Sequence, residues 1–146
     1  SMNYIYTEFK AFAEKQSGVM EEIMKDLLSY AKRYNKLLVG HQSFPAKLKA
    51  SIFRLNRFES SVTRPFLMEV LRLQEEAILT MDEVTETCRI VESYLLRRII
   101  CDLPSNTLAK VFLTLSSDIK RFDGTYNMFI EKIKKLKLVI QKRQKL

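Results

Sequence analysis

The stretch Thr80-Met81-Asp82-Glu83-Val84-Thr85-Glu86-Thr87-Cys88-Arg89-Ile90-Val91-Glu92-Ser93-Tyr94-Leu95-Leu96-Arg97-Arg98-Ile99-Ile100-Cys101 decides the fold. It opens on a capping box: the Thr80 hydroxyl is placed to accept from the Glu83 amide, and the Glu83 carboxylate can reach back to the amide of Thr80. Beyond the box, Val84, Cys88, Val91, Leu95 and Ile99 recur in steps of three and four, one stripe of a helix with about 3.6 residues per turn. Ile90, Tyr94, Leu96 and Ile100 widen that stripe. A helix apolar over so much of its circumference belongs at the centre of its fold, and this one is expected to end near Cys101.

Helical signals continue on both sides. Asp102-Leu103-Pro104-Ser105-Asn106 ends the central helix and caps the next, whose Leu108, Val111, Phe112, Leu115, Ile119 and Phe122 form a clean amphipathic face closed by Asp123-Gly124. A last helix is expected from about Thr125. It has Tyr126, Phe129, Ile133, Leu136 and Ile140 at heptad-like spacing, and Lys132, Lys134, Lys135, Lys137, Lys142 and Arg143 around the rest. Upstream, Pro65 suits a first helical turn with Thr63 as its cap, and Leu67, Val70 and Leu71 supply the buried stripe. Leu48, Ile52 and Leu55 mark a short helix reaching about Phe58. Nearer the N-terminus, Ile5, Phe9 and Phe12 define one helix. A break at Ser17-Gly18 leads into a second, with a seam of Met20, Ile23, Leu27, Tyr30, Tyr34 and Leu37 that stops near Gly40. The expected architecture is all-α: a single multi-helix domain over 1–146, orthogonal or bundle-like, of six to seven helices.

Composition agrees. The 146 residues are 47% hydrophobic and 29% charged with three Gly and three Pro, too few turn residues for an all-β protein and too many apolar ones for disorder. Arg97 and Arg98 interrupt the longest apolar stretch, so nothing approaches the roughly 20 apolar residues of a membrane span and no membrane partner is expected. Ser1 ahead of Met2 reads as a cloning remnant, and the chain is expected to be a piece of a larger protein. Cys88 and Cys101 lie on one helix about 20 Å apart, too far to bridge; unpaired thiols fit a reducing cytoplasm, and buried small hydrophobes are the plainer reading.

No catalytic constellation emerges. His41 is the one histidine, so a histidine-based zinc site, an HNH nuclease and a Ser/His/Asp triad all lack their parts. No Gly-rich loop stands ready to cradle phosphates, and no cofactor is expected. Asp118-Ile119-Lys120 and Glu8-Phe9-Lys10 match the acidic-x-Lys tripeptide of metal-dependent nucleases, but both fall inside helices. The formal charge of +8 favours an anionic partner, nucleic acid being the commonest. The basic last helix reads as a rod that tracks phosphates, as a surface helix whose cations suit its C-terminal end, or as a coiled-coil partner that makes a homo-oligomer.

Arg64-Pro65-Phe66-Leu67, Val91-Glu92-Ser93-Tyr94-Leu95-Leu96-Arg97-Arg98, Cys101-Asp102-Leu103-Pro104-Ser105-Asn106-Thr107-Leu108 and Lys110-Val111-Phe112, in that order, resemble the helical region of GmrSD-type restriction endonucleases. The resemblance covers about 44–115. It implies a parent with an N-terminal ParB-like, nucleotide-using domain, a helical middle and a C-terminal HNH nuclease, of which this chain matches the middle alone. It further implies a non-catalytic connector in a phage-defence protein whose partners are the neighbouring domains and DNA. The family often has an Asn before the Lys-x-Phe, where Ala109 stands here. Within the matched motif, Glu92, Ser93, Tyr94, Arg97 and Arg98 are the candidate functional residues. A polar clasp between helices is the structural reading of them, and a DNA or nucleotide contact the functional one. Lys132, Lys134, Lys135, Lys137, Lys142 and Arg143 are the candidate DNA contacts.

If the central helix is read correctly, Leu95→Ala removes a buried side chain and costs about 2 to 5 kcal/mol. Thermal denaturation checks this, and a wild-type midpoint would refute the core assignment.

Overall fold

A computed structural model describes residues 2–15, 17–58, 61–120 and 130–131. Those residues contain no strand. Six α-helices are defined: α1 (Met2–Lys15), α2 (Ser17–Val39), α3 (Ala46–Arg57), α4 (Arg64–Glu75), α5 (Met81–Ile100) and α6 (Leu108–Lys120). Single 3₁₀ turns at Ser61–Thr63 and Ser105–Thr107 lead into α4 and α6. No helix among the described residues is long and apolar enough to cross a membrane. Phe122 and the expected basic helix from Thr125 lie outside the described residues, apart from Ile130 and Glu131, which are helical.

Packing divides the chain into two compact units, 1–32 and 33–146. In the first, Ile5, Phe9 and Phe12 of α1 and Leu27 of α2 are all exposed, so the seam expected along α2 is covered only in part. Gly18 falls inside the first turn of α2 and not between helices.

The second unit holds the core. Leu48, Ile52 and Leu55 of α3, Phe66, Leu67, Val70, Leu71 and Leu73 of α4, Val84, Cys88, Val91, Tyr94 and Leu95 of α5, and Phe112, Leu115 and Ile119 of α6 are buried together. α4 packs chiefly on α6 and α3 on α5, and α4 also touches α5. Thr63 does stand at the N-cap of α4, but it is helical in backbone and makes no side-chain cap bond, because a 3₁₀ turn already leads the chain into the helix. The α5 capping box forms as expected, with Thr80 Oγ1 accepting from the Glu83 amide at 3.2 Å and Glu83 Oε2 from the Thr80 amide at 2.6 Å.

The apolar stripe of α5 is buried as far as Leu95, whereas Leu96, Ile99 and Ile100 are 47%, 61% and 72% exposed. Ile99 was expected on the buried face. Periodicity reports that a face is apolar, and burial also requires a neighbour to cover it, which the last turn of α5 lacks among the described residues.

Among the described residues, three helices end in left-handed residues. The Gly40 amide (φ 67°) returns to the Lys36 carbonyl at 3.0 Å. After α4, the Ile78 amide bonds to the Leu73 carbonyl at 2.9 Å and the Ala77 amide to the Gln74 carbonyl at 3.0 Å, a Schellman ending with Ala77 at φ 59°. After α5 the same motif joins Leu103 to Arg98 and Asp102 to Ile99, with Asp102 at φ 50°. An aspartate tolerates this region better than an alanine, whose Cβ crowds the following carbonyl. Ala77→Gly should therefore raise stability by about 1 kcal/mol, less a fraction returned by the freer unfolded chain. Urea denaturation reads the gain, and a fall in midpoint would contradict the left-handed backbone at Ala77.

Candidate functional site

The five motif residues of α5 divide between inward and outward faces. Glu92 turns towards α3. Its Oε2 accepts from Ser51 Oγ at 2.9 Å and from Arg54 Nη2 at 3.2 Å, and its Oε1 accepts from Arg54 Nε, so the carboxylate is held by a guanidinium fork and a hydroxyl at once. Ser51 is fully buried. Ser51 and Arg54 are one turn apart on α3, which places both on the edge that meets α5. The hydrogen bond to Glu92 holds the Arg54 guanidinium pKa above its ordinary value, against desolvation and with help from the carboxylate charge.

One turn before Glu92, Cys88 is sealed in the core. Burial first, and then the negative charge of Glu92, push its thiol up to about 12, so it stays protonated and is a poor nucleophile. The plainer reading of this cysteine, a small buried hydrophobe, holds.

Tyr94 is buried with its ring edge-on to Phe112, centroids 6.0 Å apart. Its hydroxyl accepts from Arg98 Nη1 at 3.1 Å, and the same guanidinium lies 5.6 Å over the tyrosine ring. Arg98 Nη2 continues to Thr107 Oγ1 at 3.0 Å and to the Pro104 carbonyl. Arg98 thus ties the end of α5 to the turn that starts α6. Glu92 and Arg98 face two different neighbours, α3 and the turn before α6. Six residues advance a helix by about 600°, which leaves their directions roughly 120° apart.

Ser93 and Arg97 lie on another face. With Glu86, Arg89 and Ile90 they line a shallow groove of about 200 Å³. Arg97 is exposed, and Arg89 makes only a loose pair with Glu86 at 3.8 Å. Arg89, Ser93 and Arg97 recur every four residues and form one polar strip. Lys132, Lys134, Lys135, Lys137, Lys142 and Arg143 lie outside the described residues.

Sequence reading missed the other charged ties. Arg33 donates from Nε and Nη2 to Glu75 Oε2 at 3.0 and 2.8 Å. Arg72 binds Glu69 at 2.8 Å and Glu76 at 2.8 and 2.9 Å. Burial alone would lower the pKa of Arg72, but the bonds to Glu69 and Glu76 outweigh it and hold the pKa up. The Arg72 pairs had a signal, since partners three and four residues away share a helix face. The Arg33 and Arg54 pairs span helices and had none. Among the described residues no three His, Cys, Asp or Glu side chains gather where they could hold a metal ion.

Glu92→Ala strands the fully buried Ser51 hydroxyl, a loss of about 1 to 3 kcal/mol for that group alone, whereas Glu92→Gln keeps an oxygen for Ser51 to donate to. Alanine should therefore lower the denaturation midpoint more than glutamine, and adding Ser51→Ala to Glu92→Ala should recover part of the loss. Equal midpoints for the two Glu92 variants would show that the Ser51 bond carries no weight.

No family model, no curated protein and no solved structure matches this chain.

Proposed function

We propose that this chain is the non-catalytic helical connector of a GmrSD-like, modification-dependent restriction protein of the cytoplasm, joining a ParB-like domain to an HNH nuclease in phage defence. The observation that carries the reading is the division of labour within the motif that suggests the family. Glu92, Tyr94 and Arg98 are committed to holding α3, α5 and α6 in place, while Ser93 and Arg97 sit together on a face that no described helix covers. That is the arrangement a strut needs: a fixed helix that offers one polar strip to whatever it connects. Its partners in this reading are the neighbouring domains of the parent chain, and DNA acts on it through them.

A second reading, a DNA-binding module, is favoured by the net charge of +8 and by the Arg89–Ser93–Arg97 strip, whose four-residue repeat presents two guanidinium groups on one line. The basic residues after Phe129 contribute to the same net charge.

One pair of measurements separates the two. Arg97 is exposed, so Arg97→Ala leaves the helix contacts in place, whereas Glu92→Ala removes the clasp to Ser51 and Arg54 and lowers stability. In a full-length parent, Arg97→Ala should abolish phage restriction with no change in melting temperature, and a parent that restricts normally would sink the connector reading. The chain itself is then titrated with DNA, with and without hydroxymethylated or glucosylated cytosine, across a salt series. Affinity that falls steeply with salt and drops further in Arg89→Glu/Arg97→Glu identifies a DNA surface, and absence of binding at low salt eliminates it.

A further inference from the structure

Arg98 is only 6% exposed, yet it makes no ion pair with any described carboxylate. Arg33, also buried, and the partly buried Arg72 do: Arg33 binds Glu75, and Arg72 binds Glu69 and Glu76. A guanidinium carries five N–H donors. The three bonds made by Arg98 go to a phenol, a backbone carbonyl and a threonine hydroxyl, all neutral, and leave two donors without a described acceptor. A buried cation in this condition is costly, and the cost is removed by an anion that reaches it.

An anion has a way in. Arg98 forms part of the wall of an open cleft of about 610 Å³ whose apolar lining is Phe58, Val62, Leu95, Ile99, Leu103 and Leu108. Ser105 adds a hydroxyl. Asp102 is also on the lining, exposed, and makes no ion pair with Arg98. Outside the cleft the apolar surface continues over Leu96 and Ile100, which with Ile99 form an exposed triad on the last turn of α5. A small molecule seated in the cleft would leave that triad uncovered. A peptide segment with a carboxylate between apolar residues would cover it and neutralise Arg98 together.

We infer that the cleft between the end of α5 and the start of α6 is a docking site for an apolar protein segment bearing an acidic side chain, whose carboxylate pairs with Arg98. The site stands on the cleft and the unneutralised arginine, and it is independent of the connector reading. Asp102 tempers its affinity by like-charge repulsion.

The test uses the full chain, isotope-labelled for amide NMR, with acetyl-Leu-Asp-Leu-Leu-amide as probe. Its asparagine counterpart and octanoate serve as comparisons. The aspartate peptide should shift the amides of Ile99, Leu103 and Ser105 and bind about ten-fold more tightly than the asparagine peptide, in line with a charge-assisted bond. Ile99→Glu, an exposed position at the mouth, should abolish binding with the fold intact, and Asp102→Asn should tighten it while tolerating the left-handed backbone. Equal affinity for the two peptides, or no shift at millimolar aspartate peptide, overturns the inference. Octanoate binding more tightly than the peptide also overturns it, by making the cleft a site for a free amphiphilic acid.

Discussion

The described part of residues 33–146 depends on the aromatic contact at Phe112. Phe66 of α4, Tyr94 of α5 and Phe112 of α6 are each at most 2% exposed, and the Phe112 ring lies 5.9 Å from one and 6.0 Å from the other in tilted and edge-on contacts. Each such pair contributes about 0.5 to 1.5 kcal/mol beyond the area it buries, and here the two pairs lock three helices to a single ring. Tyr94 carries the constraint outward. Its buried hydroxyl needs a partner, Arg98 supplies one, and Arg98 in turn fixes Pro104 and Thr107. The path from α5 to α6 is thus set by a chain of contacts that begins in the core. Asp102 is held left-handed within that path, a conformation that the Schellman bonds on either side of it require.

Around this centre the helices are tied by arginine–carboxylate pairs at the margins of the core. Arg33 joins the end of α2 to Glu75 of α4, Arg54 joins α3 to Glu92 of α5, and Arg72 bonds within α4 and reaches the Lys120 carbonyl at the end of α6 at 3.4 Å. These pairs are partly solvated, so each contributes less stability than the apolar contacts beneath it, but each fixes the register of one helix on another. They also consume carboxylates. Glu69, Glu75, Glu76 and Glu92 spend their charge on internal partners, which removes them as counterweights to the outward-facing cations of a chain already at +8.

The helices were legible because each carries its own local signal. The Thr80–Glu83 box, the stripe from Val84 to Leu95 and the amphipathic face from Leu108 to Ile119 depend on neighbours at most four residues away, and all three appear as read. The misses share one cause. Ile99 and Leu27 belong to apolar faces that local spacing marks for burial, but burial depends on a distant element arriving to cover them. Glu92 and Arg98 were placed on the right helix as clasp residues, yet the partner Ser51 lies 41 positions from Glu92, and nothing in the motif points to it. Thr63 has the residue type of a cap but enters its helix from a 3₁₀ turn, which alters the backbone geometry a cap needs. The cleft beside Arg98 was invisible for the same reason, since its walls come from three separated segments.

The partition of the α5 motif limits what any substitution in it can reveal. Side chains that hold the fold and side chains that could speak to a partner alternate within about two helical turns, so loss of activity after changing Glu92, Tyr94 or Arg98 reports first on the α3 clasp, the aromatic centre or the α6 turn. Ser93 and Arg97 are different. No described helix covers their groove, and a change there leaves the core contacts in place. Arg98 alone belongs to both sets: it closes the turn with three of its donors and keeps two turned from any described acceptor. An anion reaching the guanidinium would therefore meet donors that the turn does not use, and the bonds to Tyr94, Pro104 and Thr107 that set the α5–α6 corner need not be broken to admit it.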